Sequence, residues 1–207
     1  EELVLPDRKT AAAKEKARND EALADNPDAK INKHHANFLK KWWQLSYPRE
    51  DLKEALAPLS RYIVCARVTH RPIFEFVSTS IRPNDALSVF ALEDDYSFGI
   101  LQSEVHWQWF INRCSTLKAD FRYTSDTVFD SFPWPQNPSL AVIKRVSDKA
   151  VALRKLRKKL KKEHELSLRE LYRALENPGS HPLKDAHADL DSAVREAYAM
   201  PKKVDQL

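Results

Sequence analysis

An α+β fold is predicted: a small, mostly antiparallel sheet with packed helices, followed by an all-helical C-terminal segment. Residues 61–68 and 73–77 are apolar, β-branched runs parted by the polar-basic turn Thr69-His70-Arg71-Pro72, which is the pattern of a hairpin. Residues 97–114 place Leu101, Val105, Trp109, Phe110 and Ile111 on one helical face. After Asn137-Pro138-Ser139 the strand signal ends and helical periodicity takes over. With 43% hydrophobic and 31% charged residues, a chain of 207 residues has enough apolar mass for a core and reads as globular.

Taken in order, residues 1–30 are charged and Ala-rich and read as a linker or a loosely docked helix over 10–19, capped by Thr10. Residues 32–58 read as helix in two pieces. Phe38, Leu39, Trp42, Trp43 and Leu45 keep helical spacing until Tyr47-Pro48, then Leu52 and Leu56 share a face until Pro58. The hairpin follows, then a turn over 81–84 and a third strand over 86–92. The helix over 97–114 takes Ser97 as its N-cap. Residues 115–125 read as a polar loop or short strand, and residues 127–132 as a short strand running into Phe132-Pro133-Trp134-Pro135. Three helices close the chain, over 141–165, 168–176 and 183–199. The first carries an apolar stripe of Val142, Val146, Ala150, Leu153, Leu156 and Leu160. The expected division is therefore 1–31 linker, 32–137 mixed domain and 138–207 helical domain.

Several chemistries are excluded. The two glycines, Gly99 and Gly179, are too few for a P-loop or a dinucleotide fingerprint. Cys65 and Cys114 are too few for a disulfide framework or a cysteine zinc site and read as buried thiols of a reducing compartment. No apolar run approaches the roughly 18 residues of a membrane span. The first residues lack the basic and apolar regions of a signal peptide, and no initiator Met is present, so a cytoplasmic fragment or processed piece is expected. Glu93-Asp94-Asp95 reads as a turn at a strand end. His34-His35 lie on different sides of a helix, so no metal site is expected. No Ser-His-Asp arrangement stands out.

The stretch FGILQSEVHWQWFINRCSTLKADFRYTSDTVFDSFPWP (98–135) is the most informative, with ten aromatic residues counting His106. Together with RYIVCARVTHRPIFEFV before it and LDSAVREAYAMP after it, in that order, it resembles one family. The family is the N6-adenine DNA methyltransferases of restriction-modification and phage-defence systems, in the MmeI-like (type IIL) branch. The likeness runs over nearly the whole chain from about residue 32. It implies a target recognition domain followed by a C-terminal helical segment. It further implies double-stranded DNA and the catalytic methyltransferase domain as partners, with S-adenosylmethionine as the cofactor of the parent protein. The family's donor loop and its Asn-Pro-Pro-aromatic adenine pocket are absent here, so this chain is expected to hold no cofactor and to be non-catalytic.

DNA recognition needs cations for phosphates and forked or amide side chains for base edges. Net charge is +4, so the basic residues must act locally. Arg67, Thr69, His70 and Arg71 at the hairpin tip are the first candidates. The loop with Lys118, Arg122, Tyr123, Thr124 and Ser125 is the second. The run 154–162, RKLRKKLKK, is the third; its Arg154, Lys155, Lys158 and Lys159 would follow the phosphate backbone while Leu156 and Leu160 are buried. The five tryptophans read as core anchors, with Trp134 pinning the exit strand. Two other readings remain open: a helical protein-interaction module whose basic helix binds an acidic partner, and a stand-alone enzyme of unknown type.

Overall fold

The computed structural model describes residues 4–43, 49–117 and 120–201. The chain divides into two units, 1–53 and 54–207.

In the first unit, helix α1 (Val4–Asp25) is longer than the sequence suggests, and Thr10 is no cap. It sits inside the helix with its hydroxyl donating to Pro6 O at 3.0 Å. Helix α2 (His34–Leu39) packs on α1. No side chain of its own caps it. Instead the Glu15 carboxylate on α1 accepts from the backbone N–H groups of His35 (3.0 Å) and Ala36 (2.9 Å), which satisfies orphan donors of the first turn. Asn19 brackets Asn32, donating to its carbonyl and accepting from its N–H. Leu45, Tyr47 and Pro48 lie outside the described residues. Helix α3 (Glu50–Leu56) begins in the first unit, finishes in the second and ends ahead of Pro58.

In the second unit, strand β1 (Arg61–Ala66) is central because both of its faces are apolar. Tyr62, Ile63, Val64 and Cys65 are all buried. It pairs antiparallel with β2 (Glu75–Ser78) on one side and with β3 (Leu87–Phe90) on the other. The registers Ile63↔Phe76 and Ile63↔Phe90 put three large apolar residues on one sheet face. Phe76 then stacks on Phe98 of the helical layer, centroids 5.0 Å apart. The hairpin and third strand are as the sequence suggests.

The single helix expected over 97–114 is two. α4 (Asp95–Gln102) starts at Asp94, whose side chain accepts from Ser97 N, so Ser97 is inside the helix and not its cap. Ser103 adopts an extended backbone, ends α4 and caps α5 (Glu104–Arg113) by accepting from His106 N. The apolar spacing alone could not show this break, because a capping serine leaves the hydrophobic pattern in phase. Strands β4 (Ser115–Leu117) and β5 (Asp120–Arg122) form a short antiparallel ribbon. The strand expected over 127–132 is a π-type turn, Ser125–Phe129, in which Asp130 N reaches Ser125 O at 2.8 Å. Thr127 carries it locally: its hydroxyl bonds that of Thr124 and its carbonyl accepts from the Ser131 hydroxyl.

Helices α6 (Leu140–Glu163), α7 (Leu168–Ala174) and α8 (Pro182–Ala197) close the chain. α6 packs on both α4 and α8, so one core runs across the composition break at 137–139. Gly99 makes this possible. A Cβ there would lie 2.7 Å from Val146 Cγ1 and 3.3 Å from Ala150 Cβ and Leu190 Cδ1. Trp134 packs edge-on against Phe129 and Phe132, as expected of an anchor for the exit segment. Cys65 is buried, which pushes its thiol pKa up, whereas Cys114 is only half-buried.

Candidate nucleic-acid interface

The two loops singled out in the sequence lie side by side. Past the end of β1 the chain continues along the β4–β5 ribbon, with an isolated antiparallel bridge between Val68 and Arg122. Tyr123 N donates to Arg67 O at 2.7 Å, and Thr69 N donates to Phe121 O at 2.9 Å. The backbone hydrogen bonds thus join residues 67–69 and 121–123 into one edge, though they are far apart in sequence. This edge continues past the end of the central strand.

Alternation along the ribbon decides which side chains face out. Arg122 is exposed. Tyr123, the next residue, turns inward and is 2% exposed. Its ring stacks on Phe110 and its hydroxyl shares a 3.0 Å hydrogen bond with His106 Nε2. Tyr123 is therefore a core residue, a correction to its expected place at the surface, and burial pushes its phenol pKa up. Thr124 is half-buried and its hydroxyl is engaged by Thr127, while Ser125 is exposed. Lys118 lies outside the described residues.

On the other loop, His70 and Arg71 are exposed. Arg71 Cζ stands 5.6 Å from the Trp107 ring and 5.9 Å from the Tyr172 ring, so aromatic surface supports it from behind. Thr69 is half-buried and donates its hydroxyl to Arg71 O at 2.8 Å, which tightens the turn. Arg67 pairs with Asp85 at 3.1 Å, with side-chain exposures of 37% and 92%. Such a surface pair is worth about 0–1 kcal/mol, so a phosphate could displace the carboxylate.

The third candidate region divides in two. Lys155, Lys158 and Lys159 are on the outer face of α6, where Lys159 Nζ lies 3.7 Å from Glu163. Arg154 points the other way. It is ion-paired with Asp95, lies over Phe76 and Phe98, and is 22% exposed. Burial lowers its pKa, opposed by the Asp95 charge. Arg154 is thus a packing residue, a second correction. Arg157 of the same run is 2% exposed; it donates to Phe74 O at 2.9 Å and to Gln102 Oε1 at 2.5 Å, and meets Glu75 at 3.3 Å. Its burial was visible in the spacing. Positions 146, 150, 153, 157 and 160 form one stripe, and an arginine occupies the fourth place on it. Glu93 and Asp95 serve as partners for Ser60, Arg61 and Arg154, and Asp94 caps the helix that Asp95 opens, so the cluster is structural and starts a helix where a turn was expected. Among the described residues no group of three or more His, Cys, Asp or Glu side chains could hold a metal ion, and no described helix is long and apolar enough to cross a membrane.

Comparison with known proteins finds likeness over most of this chain. Residues 62–136, which hold the three-stranded sheet, the ribbon and the exit segment, match the family described as MmeI, target recognition domain. That segment is similar to the target recognition domain of MmeI. The DNA methyltransferase A of Bacillus subtilis (strain 168) is 34% identical over 105 residues, which is 50% of this chain and 11% of that protein. A solved structure of the type IIL restriction-modification enzyme MmeI in complex with DNA superposes with a TM-score of 0.69 at 23% identity, over 91% of this chain and 23% of that one. The latter shows a shared fold over 91% of this chain. The chain thus spans a small part of the proteins it resembles. S-adenosylmethionine finds no fit among the residues here: Gly99 is packed between helices, and Gly179, the other glycine, stands alone in a turn.

Proposed function

We propose that this chain is the sequence-reading portion of an N6-adenine DNA methyltransferase of a restriction-modification or phage-defence system. It binds double-stranded DNA and presents it to a catalytic methyltransferase domain, which holds the S-adenosylmethionine. One observation carries the reading. The backbone bonds between residues 67–69 and 121–123 bring side by side the two loops that carry Arg67, His70, Arg71, Arg122 and Ser125, within the segment that matches the recognition-domain family. A two-stranded ribbon is an element the major groove admits, and there an arginine fork can meet the O6 and N7 of guanine. Lys155, Lys158 and Lys159 on α6 would add phosphate contacts, which set affinity and not sequence.

The experiment is a fluorescence titration of the purified chain with duplexes across a salt series. Binding on the order of 10⁻⁴–10⁻⁶ M for non-specific duplex, weakening steeply with salt, is expected of a recognition domain separated from the rest of its clamp. Affinity that ignores salt, or a preference for acidic protein over duplex, would move the assignment to a protein-interaction module.

A further inference from the structure

His106 is the one fully buried histidine in the aromatic core, and a non-catalytic reading leaves it without a task. It stands on α5, directly under the recognition edge. Its Nε2 shares a 3.0 Å hydrogen bond with the Tyr123 hydroxyl. Its ring stacks on Tyr123 and meets Phe74 and Phe132 edge-on, at centroid distances of 5.5 and 4.8 Å. Apolar rings would fill this space without the cost of burying two polar groups. What a polar pair adds is a defined geometry.

The ribbon needs one. β4 and β5 pair over three positions, Ser115↔Arg122, Thr116↔Phe121 and Leu117↔Asp120, too few to fix the register strongly. A slip of one residue would exchange the faces of Arg122 and Tyr123, burying the guanidinium and exposing the ring. The Tyr123 N–H is also the group that holds Arg67 O, so the same residue fixes the ribbon to the first loop.

We propose that His106 is a positioning residue for DNA recognition: through the Tyr123 hydroxyl it locks the ribbon in the phase that presents Arg122 and holds both loops in one edge. The inference rests on the function proposed above and assigns the specificity of that site to a residue that never touches DNA.

Its test has two readouts that fail separately. Amide hydrogen exchange is measured in the wild-type chain, in Tyr123→Phe, which keeps the ring and removes the hydroxyl, and in His106→Leu and His106→Gln. The amides of Thr69 and Tyr123 are expected to exchange faster in Tyr123→Phe by about three- to tenfold, the equivalent of one net hydrogen bond, with the amides of β1 inside the three-stranded sheet unchanged. His106→Gln, whose amide can meet the hydroxyl, is expected to restore much of the protection that His106→Leu loses. If His106→Leu does not fold, Tyr123→Phe decides. Unchanged protection at Thr69 and Tyr123, or an equal loss throughout the sheet, would overturn the positioning role whether or not the chain binds DNA. The second readout is enrichment from a randomised duplex pool. Wild type is expected to select a site and Tyr123→Phe to select it less sharply, with the salt slope unaltered. Failure of wild type to select any site would count against the proposed function alone.

Discussion

Replacing Arg157 with Met should destabilise the second unit, although Arg157 lies within a run that reads as a solvated basic face. The guanidinium is 2% exposed and donates to the Phe74 carbonyl and to Gln102 Oε1, both buried. A lost hydrogen bond from a charged donor to a buried acceptor costs about 1.5–3 kcal/mol, so two cost about 3–6 kcal/mol. The Glu75 contact adds little, since that carboxylate is 40% exposed and solvent screens it. Two effects reduce the sum. Met fills most of the volume, which limits the cavity term. The buried Nε of Arg157 has no hydrogen-bond partner, so its removal returns a desolvation cost. A net loss of about 2–4 kcal/mol follows, or a Tm lower by about 5–15 °C for a unit of this size. Lys158→Met, one residue along and exposed, should stay within about 0.5 kcal/mol of wild type. Urea unfolding followed by tryptophan fluorescence measures both. Equal stability of Arg157→Met and wild type, or an equal loss in Lys158→Met, would refute the assignment of Arg157 to the core.

Three further outcomes are expected. Gly99→Ala gains about 1 kcal/mol of helix propensity but drives a Cβ to 2.7 Å from Val146 Cγ1; a net loss of about 1–2 kcal/mol is expected by urea unfolding, and a gain would mean that α4 and α6 can move apart. Burial lowers the pKa of His106 and His187 to about 3, while the unfolded chain titrates near 6.5. The unfolded state therefore binds protons first as pH falls, so stability is full above about pH 6.5 and declines toward pH 3; at pH 5 each histidine should cost about 2 kcal/mol, and a stability flat between pH 7.5 and 5 would contradict their buried, neutral state. Neutralising Lys158 and Lys159 together should weaken binding to all duplexes alike and lower the slope of log affinity against log salt by up to about 1.8, and an unchanged slope would remove α6 from the phosphate track.

Much of this fold was legible because its signals are local. The hairpin, the third strand, the three C-terminal helices and the anchoring of Trp134 follow from runs of β-branched residues, apolar stripes and Pro or Asn breaks. The misreadings share a physical origin. Ser103 divides a helix without disturbing its apolar phase, and Thr127 forms a π-type turn through hydroxyl and carbonyl bonds that propensity does not encode. At the site, the sequence supplied both loops but not their union, which depends on backbone bonds between Arg67, Thr69, Phe121 and Tyr123. Charge by itself misassigned Arg154, since Asp95 and the Phe76 ring hold it from elements that lie far back in the chain. Tyr123 could have been placed inward by alternation from Arg122, but only once the ribbon was known to be a strand.

The most direct test of the recognition edge uses the full-length protein, reading adenine methylation over a panel of single-base variants of its site with Arg71→Ala and Arg122→Ala. Either arginine in bidentate contact with a base should, when removed, cost about 1–3 kcal/mol at one position of the site and relax the preference there. Preference at the remaining positions should hold. Wild-type site preference in both variants, with a changed preference in the Lys158/Lys159 double variant, would contradict the account and move the reading head to the C-terminal helices.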